Sequence, residues 1–184
     1  MLFLISVHIN ENNDKDIRMD DNKNFQELIS IGHHLLSNNQ FEAGLSFISS
    51  HLTDMVGAER CSIFIYEEKS DELWTILSTG IEKIHVPTEK GIVGYVFRTK
   101  DSVIENNVKN NVYFLSDIDK QSGYTTLNII ACPIYNSKRE LIGVLELLNK
   151  KNGFNESDLN FLNTFANYLG SIIELAPYYL EKTV

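Results

Sequence analysis

The stretch that most constrains the fold is a pair of apolar runs between Asn128 and Phe154. The runs are rich in Ile, Val and Leu, and they flank a short polar segment, Asn136 to Glu140. This pattern predicts two antiparallel strands that form a hairpin. Because both runs are apolar on both faces, we expect both strands to lie centrally in a sheet that is covered on each side.

A single acidic residue, Glu146, interrupts the second run between Leu145 and Leu147. A carboxylate in a buried strand is unfavourable unless another group pairs with it. Glu146 therefore either meets a cation or a hydrogen-bond donor, or it faces a wet cavity. The sequence thus predicts a polar spot on one face of the sheet.

Length and charge narrow the classes of function. The 184 residues fit one domain with a full core. A net charge of −9 argues against a nucleic acid or an anionic membrane as the partner.

Cys61 and Cys132 lie in apolar runs, which favours buried thiols in a reduced, cytoplasmic protein. The apolar segment 1–9 has no basic start and is too short to span a bilayer.

The first third of the chain predicts a linker followed by helices. Residues 10–24 are rich in Asn, Asp and Lys, which indicates a solvated linker. Apolar residues at helical spacing predict one helix over about 24–37 and a second helix that starts near Phe41 and stops at Gly57.

Strands follow, with one helix among them. We predict strands at Arg60 to Tyr66, Glu72 to Thr79, Lys83 to Val86 and Ser102 to Glu105. A polar turn leads into a helix that runs from about Gly91 to Thr99, and its free N–H groups favour a negative group at its start.

The polar stretch Asn106 to Asn128, which we call the lid, is predicted as a long loop of the kind that covers a binding site. A closing helix then begins with Asn155 as its N-cap and Asp158 at the third position. Because Pro177 disfavours continuation, we expect this helix to end near Leu175. Helices that bracket an antiparallel sheet give the α+β class.

The closing helix is apolar on two adjoining faces. Such a helix on a small acidic domain predicts a homodimer through the terminal helices, although the helix over 24–37 is an alternative cover within one chain. The first face has Leu159, Leu162, Ala166, Leu169 and Ile173, and the second has Phe161, Phe165, Tyr168 and Ile172.

From Phe41 to Leu175 the sequence resembles a GAF domain, and more narrowly the GAF domains of cyclic-nucleotide phosphodiesterases and bacterial adenylyl cyclases. The resemblance implies a six-stranded antiparallel sheet with helices on both faces, a GAF/PAS-like fold. It rests on segments 59–64, 91–96, 122–124, 128–134 and 142–150, and on the signature residues Asn149, Lys150, Phe154 and Asp158. The resulting division is an N-terminal segment and linker over 1–23, a GAF domain over 24–176 and a tail over 177–184.

The resemblance also implies ligand-contacting positions around one cavity. These are Ser62, Ile92, Val93, Ser122, Thr126 and Glu146, with Ser78 and Thr79 standing where nucleotide-binding relatives often place an aromatic residue and an acid. At Ser78 the stacking contribution of an aromatic ring, about 1–3 kcal/mol, is therefore absent.

Several of these residues keep a structural alternative. Glu146 is either a ligand contact or a buried acid paired with a protein group, and Ser122 and Thr126 also suit turn capping. Lys150 with Asp158 is best interpreted as a structural ion pair. No His has a Cys or acid at metal-ligand spacing, so we predict no metal and no catalytic residue.

The sequence thus predicts a non-catalytic sensor module that binds a cyclic nucleotide or a similar small molecule and signals through its terminal helices. One alternative is a dimerisation scaffold with a degenerate cavity. The other is an enzyme of the free methionine sulfoxide reductase type, which needs loop cysteines near the cavity.

Overall fold

The computed structural model describes residues 41–78 and 83–180. The apolar segment 1–9, the linker predicted over 10–24 and the helix predicted over 24–37 lie outside the described residues, as does Thr79.

The described chain alternates helices with the strands of one antiparallel sheet, which confirms the α+β prediction. The sheet has six strands in the order β3-β2-β1-β6-β5-β4. In chain order the elements are α1 (Phe41–Val56), β1 (Ala58–Glu67), β2 (Glu72–Ser78), β3 (His85–Pro87), α2 (Gly91–Thr99), β4 (Val103–Glu105), a 3₁₀ turn (Val108–Asn110), α3 (Ser116–Ser122), β5 (Ile129–Tyr135), β6 (Leu141–Lys150) and α4 (Glu156–Leu180).

The predicted hairpin is β5 and β6, and it lies at the centre of the sheet as expected. β6 pairs with β1 along one edge and with β5 along the other. The turn is closed by a hydrogen bond from the Asn136 N–H to the Glu140 carbonyl at 3.0 Å. Both faces of β6 are therefore removed from solvent over most of its length.

Two apolar clusters cover the two faces of the sheet. Cys61 and Ile63 point to the first face, where α1 and α4 pack, while Phe64 points to the second face, as the strand period predicts. The second face packs against β3, α2 and the lid, through residues that include Val86, Ile92, Val93, Val96, Val108 and Ile129.

Helix α4 begins as predicted. The Asn155 side-chain oxygen accepts hydrogen bonds from the N–H groups of Ser157 (2.8 Å) and Asp158 (3.1 Å), and an Asp158 carboxylate oxygen accepts one from the Asn155 N–H (2.9 Å). This reciprocal arrangement satisfies N–H groups that the first turn of a helix leaves without partners.

The predicted end of this helix at Leu175 is wrong, because α4 continues through Pro177 to Leu180. A proline removes one backbone N–H from the helical ladder and disfavours the helical conformation of the preceding residue. Because only one hydrogen bond of the helix is lost at Pro177, this preference does not by itself end the helix.

The lid is more ordered than the predicted loop. It contains the 3₁₀ turn and α3, and α3 ends at Gly123 with a left-handed φ of 66°. Residues 116–122 are mostly polar, so they lack the apolar periodicity from which a helix is predicted.

Helix α4 touches the sheet backbone at Gly170. A Cβ placed on Gly170 would lie 1.9 Å from the carbonyl oxygen of Tyr135 in β5, which is far inside van der Waals contact. Glycine is therefore required there by the distance between helix and strand.

We expect Gly170→Ala to lower the free energy of unfolding by at least the roughly 1–3 kcal/mol that overpacked core sites lose. Urea denaturation followed by circular dichroism measures this loss. The control is Ser171→Ala at the next, exposed position of α4, which we expect to unfold like the unmutated chain. Equal midpoints for the two variants would contradict the close approach.

Lys150 and Asp158 form the predicted ion pair, with the Lys150 Nζ 2.7 Å from one carboxylate oxygen of Asp158 and 2.8 Å from the other. The two side chains are only 22% and 12% exposed. The pair joins the end of β6 to the first turn of α4.

We expect Lys150→Met to destabilise the fold by about 1–3 kcal/mol, because the Asp158 carboxylate would be left partly buried without its cation. A double-mutant cycle with Asp158→Asn measures the coupling between the two side chains. The exposed pair Lys120 and Asp117, also at 2.7 Å, is the matched control and should show little coupling. Equally weak coupling in both pairs would refute a structural role for Lys150.

Candidate functional site

A cavity of about 70 Å³ lies on the second face of the sheet, between β1, β3, β6, the start of α2 and the lid. Its walls are mainly apolar and include Phe64, Val86, Ile129 and Leu148. Its polar side chains belong to Arg60, Ser62, Asp119, Ser122, Tyr124, Thr126 and Glu146.

The cavity brings together six of the eight ligand-contacting positions inferred from the sequence: Ser62, Ile92, Val93, Ser122, Thr126 and Glu146. Ser78 pairs with Ser62 across β1 and β2 but does not line the cavity. Thr79 lies outside the described residues.

Glu146 is the buried acid of this cavity. It lies in β6 between Ser62 of β1 and Ala131 of β5, and it is 8% exposed. No described residue donates a hydrogen bond to its carboxyl group or forms an ion pair with it. The sequence left open whether Glu146 contacts a ligand or pairs with a protein group. No such protein group is found among the described residues.

The surroundings of Glu146 oppose its ionisation. Burial raises the pKa of Glu146 to about 7, and the negative charge of Asp119 across the cavity adds to this rise. Both causes disfavour the charged form, since one removes water from the carboxylate and the other places a like charge near it. The carboxyl group is consequently poised between its two forms near neutral pH.

Asp119 is a cavity residue that the sequence did not indicate. It projects from α3, and its carboxylate oxygens accept hydrogen bonds from the Thr126 N–H and the Thr126 hydroxyl, both at 2.7 Å. The only signal was its place one turn before Ser122 in a polar stretch, where many Asp and Asn residues occur. Asp119 fastens α3 to the last part of the lid.

The two hydroxyl groups of the lid have structural partners, as the turn-capping alternative predicted. The Ser122 hydroxyl donates to the Ile118 carbonyl at 2.9 Å and accepts from the Tyr124 N–H at 3.3 Å. The hydroxyl oxygen of Thr126 is held by Asp119. Both side chains nevertheless line the cavity, so capping does not remove them from the site.

A polar network closes the rim of the cavity. The Arg60 guanidinium carbon lies 3.7 Å from the centre of the Tyr124 ring, a cation–π contact. The Tyr124 hydroxyl donates to Glu59 at 2.8 Å, and the Asn149 side-chain amide donates to the same oxygen at 3.2 Å. The pKa of Tyr124 is raised by burial and by Glu59.

Asn149 also holds the end of the lid. Its side-chain oxygen accepts from the Leu127 N–H at 2.7 Å, and its amide donates to the Thr125 carbonyl at 2.8 Å. Its φ of 56° is a left-handed conformation that Asn tolerates better than most residues. The signature residue Asn149 therefore joins β6 to the lid, and sequence reasoning had not given it this role.

The start of α2 faces the cavity with its backbone. Lys90, the N-cap, makes no side-chain capping hydrogen bond, and Gly91 has a φ of 75° that suits glycine. Gly91, Ile92 and Val93 line the cavity. Orphan N–H groups at a helix start favour a negative or hydrogen-bond-accepting group.

Among the described residues, this cavity has neither a reactive thiol nor a group of side chains that could hold a metal ion. The chain has two cysteines, and Cys61 and Cys132 are both buried in the cluster on the opposite face of the sheet. Burial raises the pKa of both thiols, so neither is a ready nucleophile. In the described segments no group of three His, Cys, Asp or Glu side chains is placed to hold a metal ion.

None of the helices in the described part of the chain combines the length and the apolar character that crossing a bilayer requires.

Two curated relatives are similar to this chain over most of its length. The chain is 28% identical over 165 residues to a protein of Caenorhabditis elegans named "Probable 3′,5′-cyclic phosphodiesterase pde-5", covering 82% of this chain and 22% of that protein. It is 31% identical over 141 residues to the dual 3′,5′-cyclic-AMP and -GMP phosphodiesterase 11A of Takifugu rubripes, covering 68% of this chain and 16% of that protein. The chain thus spans about a fifth of each relative.

Solved structures share the fold at low sequence identity. The GAF domain of a phosphoenolpyruvate-protein phosphotransferase from Coxiella burnetii superposes with a TM-score of 0.70 at 18% identity, covering 85% of this chain and 96% of that one. The free methionine-R-sulfoxide reductase of Neisseria meningitidis superposes with a TM-score of 0.69 at 19% identity, covering 86% and 93%.

The family model of the GAF domain matches residues 40–174, which is most of the chain. This match agrees with the six-stranded sheet, with the helices on its two faces and with the relatives described above. The chain belongs to the GAF domain family.

Proposed function

We propose that this GAF domain is a non-catalytic sensor module whose cavity binds a small, anionic, purine-like molecule, with cyclic nucleotides as the first candidates. Binding would be transmitted through the lid and α4 to an output domain or a partner protein.

The observation that carries the proposal is the Glu146 carboxyl group inside the cavity, for which no partner is found within residues 41–78 and 83–180. A buried polar group without a partner is unfavourable, so such groups are rare unless they serve a purpose. A ligand that hydrogen-bonds to Glu146 and places a negative group at the start of α2 would provide partners for both the carboxyl group and the free N–H groups of the helix.

The size of the cavity links binding to movement of the lid. About 70 Å³ holds only a few water molecules, so a nucleotide requires the lid to move outward. A ligand shifts a conformational equilibrium only by its difference in affinity for the two states. A ligand that fits only after the lid has moved outward would bind the open state more tightly than the closed state, which provides that difference.

Hydrogen bonds connect the start of the lid to α4. The Asn106 side chain accepts from the Phe154 N–H at 2.8 Å and donates to the Phe154 carbonyl at 2.9 Å, just before α4 begins. Ser102, which precedes β4 and the lid, donates its hydroxyl to the Asn163 side chain on α4 at 2.6 Å. The Asn106 contacts are a direct physical route by which lid displacement would reach the helix.

The relatives support the choice of probes. Two of them are named for cyclic-nucleotide substrates, which makes cyclic AMP and cyclic GMP the natural first ligands to test. Because the chain spans so little of these proteins, their catalytic activity is not assigned to it. The two free cysteines are consistent with a reducing compartment, and we propose the cytoplasm.

A second candidate is a dimerisation scaffold with an empty cavity, which the small cavity and the absence of an aromatic side chain at Ser78 favour. A reductase of the free methionine sulfoxide type is disfavoured, because both thiols lie behind the sheet and away from the cavity.

A ligand added at about 100 times its dissociation constant should stabilise the chain by about 2.7 kcal/mol. For a domain of this size that is a rise of about 5–10 °C in Tm. Differential scanning fluorimetry with cyclic AMP and cyclic GMP measures the shift. Ser62→Leu, which fills the cavity, should abolish it, while Thr164→Ala on the exposed side of α4 should retain it.

No shift with either nucleotide, together with no bound small molecule in native mass spectrometry of the freshly purified protein, would favour the empty scaffold. A shift that persists in Ser62→Leu would place the binding elsewhere.

We also propose a homodimer through the terminal helices, which are α4 and the helix predicted over 24–37, but the contact cannot use Phe165. The sequence left open whether the second apolar face of this helix, with Phe165, meets a partner or is covered within one chain. Phe165 is 1% exposed and packs in the core of its own chain. Phe161 and Tyr168 stay partly exposed on α4 and are better candidates.

Light scattering of the unmutated chain should give a dimer, and Tyr168→Glu should give a folded monomer. Phe165→Glu should instead unfold or aggregate, because it buries a charge in the core. A monomeric mass for the unmutated chain at high micromolar concentration would refute the dimer.

A further inference from the structure

We propose that Glu146 couples occupation of the cavity to the uptake of a proton, so that the cavity holds an anionic ligand more tightly as the pH falls through neutrality. This inference rests on the proposed small-molecule site and adds its regulation.

The geometry isolates the Glu146 carboxyl group from compensating donors. It is more than nine-tenths buried, its strand neighbours are Ser62 and Ala131, and no described residue makes a hydrogen bond or an ion pair with it. No buried side-chain oxygen in the described segments lacks both a partner and solvent contact, so the carboxyl oxygens are open to the cavity. A bound ligand would therefore be their immediate neighbour.

The charged side chains that line the cavity with Glu146 come from β1 and α3. On β1, Arg60 lines the cavity and stacks on Tyr124 of the lid, and it is not within ion-pair distance of Glu146. On α3, Asp119 contributes a second carboxylate. Cys61 lies behind the sheet, and the described lining residues of α2 and β3 carry no titratable side chain.

An anionic ligand would make ionisation of Glu146 still less favourable. It would displace water from the carboxyl group and add a negative charge beside Glu146 and Asp119, and both effects raise a carboxyl pKa. Since burial already raises the pKa of Glu146 to about 7 without ligand, the bound state would retain a proton that the free state has partly lost. By linkage, binding takes up a proton at neutral and mildly alkaline pH.

The protonated carboxyl group also offers the ligand a hydrogen-bond donor that the ionised form lacks. A ligand that instead donates to Glu146, such as an amine, would prefer the ionised form and bind more tightly as the pH rises. The direction of the pH dependence thus distinguishes the two ligand chemistries.

Isothermal titration calorimetry with cyclic GMP and cyclic AMP at pH 6, 7 and 8, in two buffers of different ionisation enthalpy, tests the coupling. We expect the dissociation constant to rise about five- to tenfold from pH 6 to pH 8, with uptake of up to one proton. Glu146→Gln, which mimics the neutral acid, should bind at every pH about as the unmutated chain does at pH 6. Glu140→Gln, an exposed site with the same change of charge, should keep the pH dependence.

The outcomes separate this inference from the proposed function. Binding of equal strength at all three pH values without proton uptake, or stronger binding at pH 8, would overturn the coupling and leave the small-molecule site intact. Absence of binding to the unmutated chain and to Glu146→Gln at every pH would overturn both.

Stability of the ligand-free protein gives an independent readout. The folded state keeps the Glu146 proton up to about pH 7, whereas the unfolded chain releases it near the ordinary value of 4.5. The unmutated chain should therefore lose stability relative to Glu146→Gln as the pH rises from about 4.5 to 7, with no further relative change above that range. Parallel pH profiles of urea midpoints for the two proteins would show that folding does not raise the pKa of Glu146 and would overturn the coupling.

Discussion

The structure depends on the pairing of β6 along both of its edges. A strand that is hydrogen-bonded on both sides and apolar on both faces must be covered twice, once by α1 with α4 and once by α2 with the lid. The first cover is an apolar cluster formed by α1, α4 and the sheet. The second cover contains a cavity whose lining includes Glu146, the one acidic residue of β6.

Side-chain amides hold the second cover in addition to its apolar contacts. Asn106, Asn128 and Asn149 each bond to backbone groups on a different segment, so they tie the two ends of the lid to β6 and to the start of α4. Each such bond contributes only about 0.5–1.5 kcal/mol net. The lid is therefore joined to the sheet by several weak polar contacts as well as by its apolar side chains.

The elements with strong apolar periodicity could be predicted from the sequence. The β5–β6 hairpin, the alternation along β1 and the capped start of α4 follow from side-chain pattern and local chemistry, and the structure has them in place. Helix α3 lacked such a pattern, so the lid was predicted as a loop. At Pro177 a local preference was outweighed by the rest of the helix.

Residue chemistry alone singled out one position of the candidate site, and the other predicted cavity positions came from the family resemblance. Glu146 stood out because an acid within an apolar strand has few explanations, and the cavity around it matches that expectation. Asp119, Tyr124 and Glu59 are common residue types in polar stretches, and their importance comes from partners far away in the sequence. Phe165 shows the same limit, since two apolar faces of one helix do not reveal which of them the chain covers itself.

The contact at Gly170 has a mechanical consequence. Because the α4 backbone lies directly against the Tyr135 carbonyl, rotation of the helix would press a neighbouring side chain against that carbonyl, so the contact favours movement of α4 together with β5. From Gly170 to Leu180 the helix extends about 15 Å further. A small tilt of the sheet at this contact would therefore move the far end of α4 sideways by a larger distance.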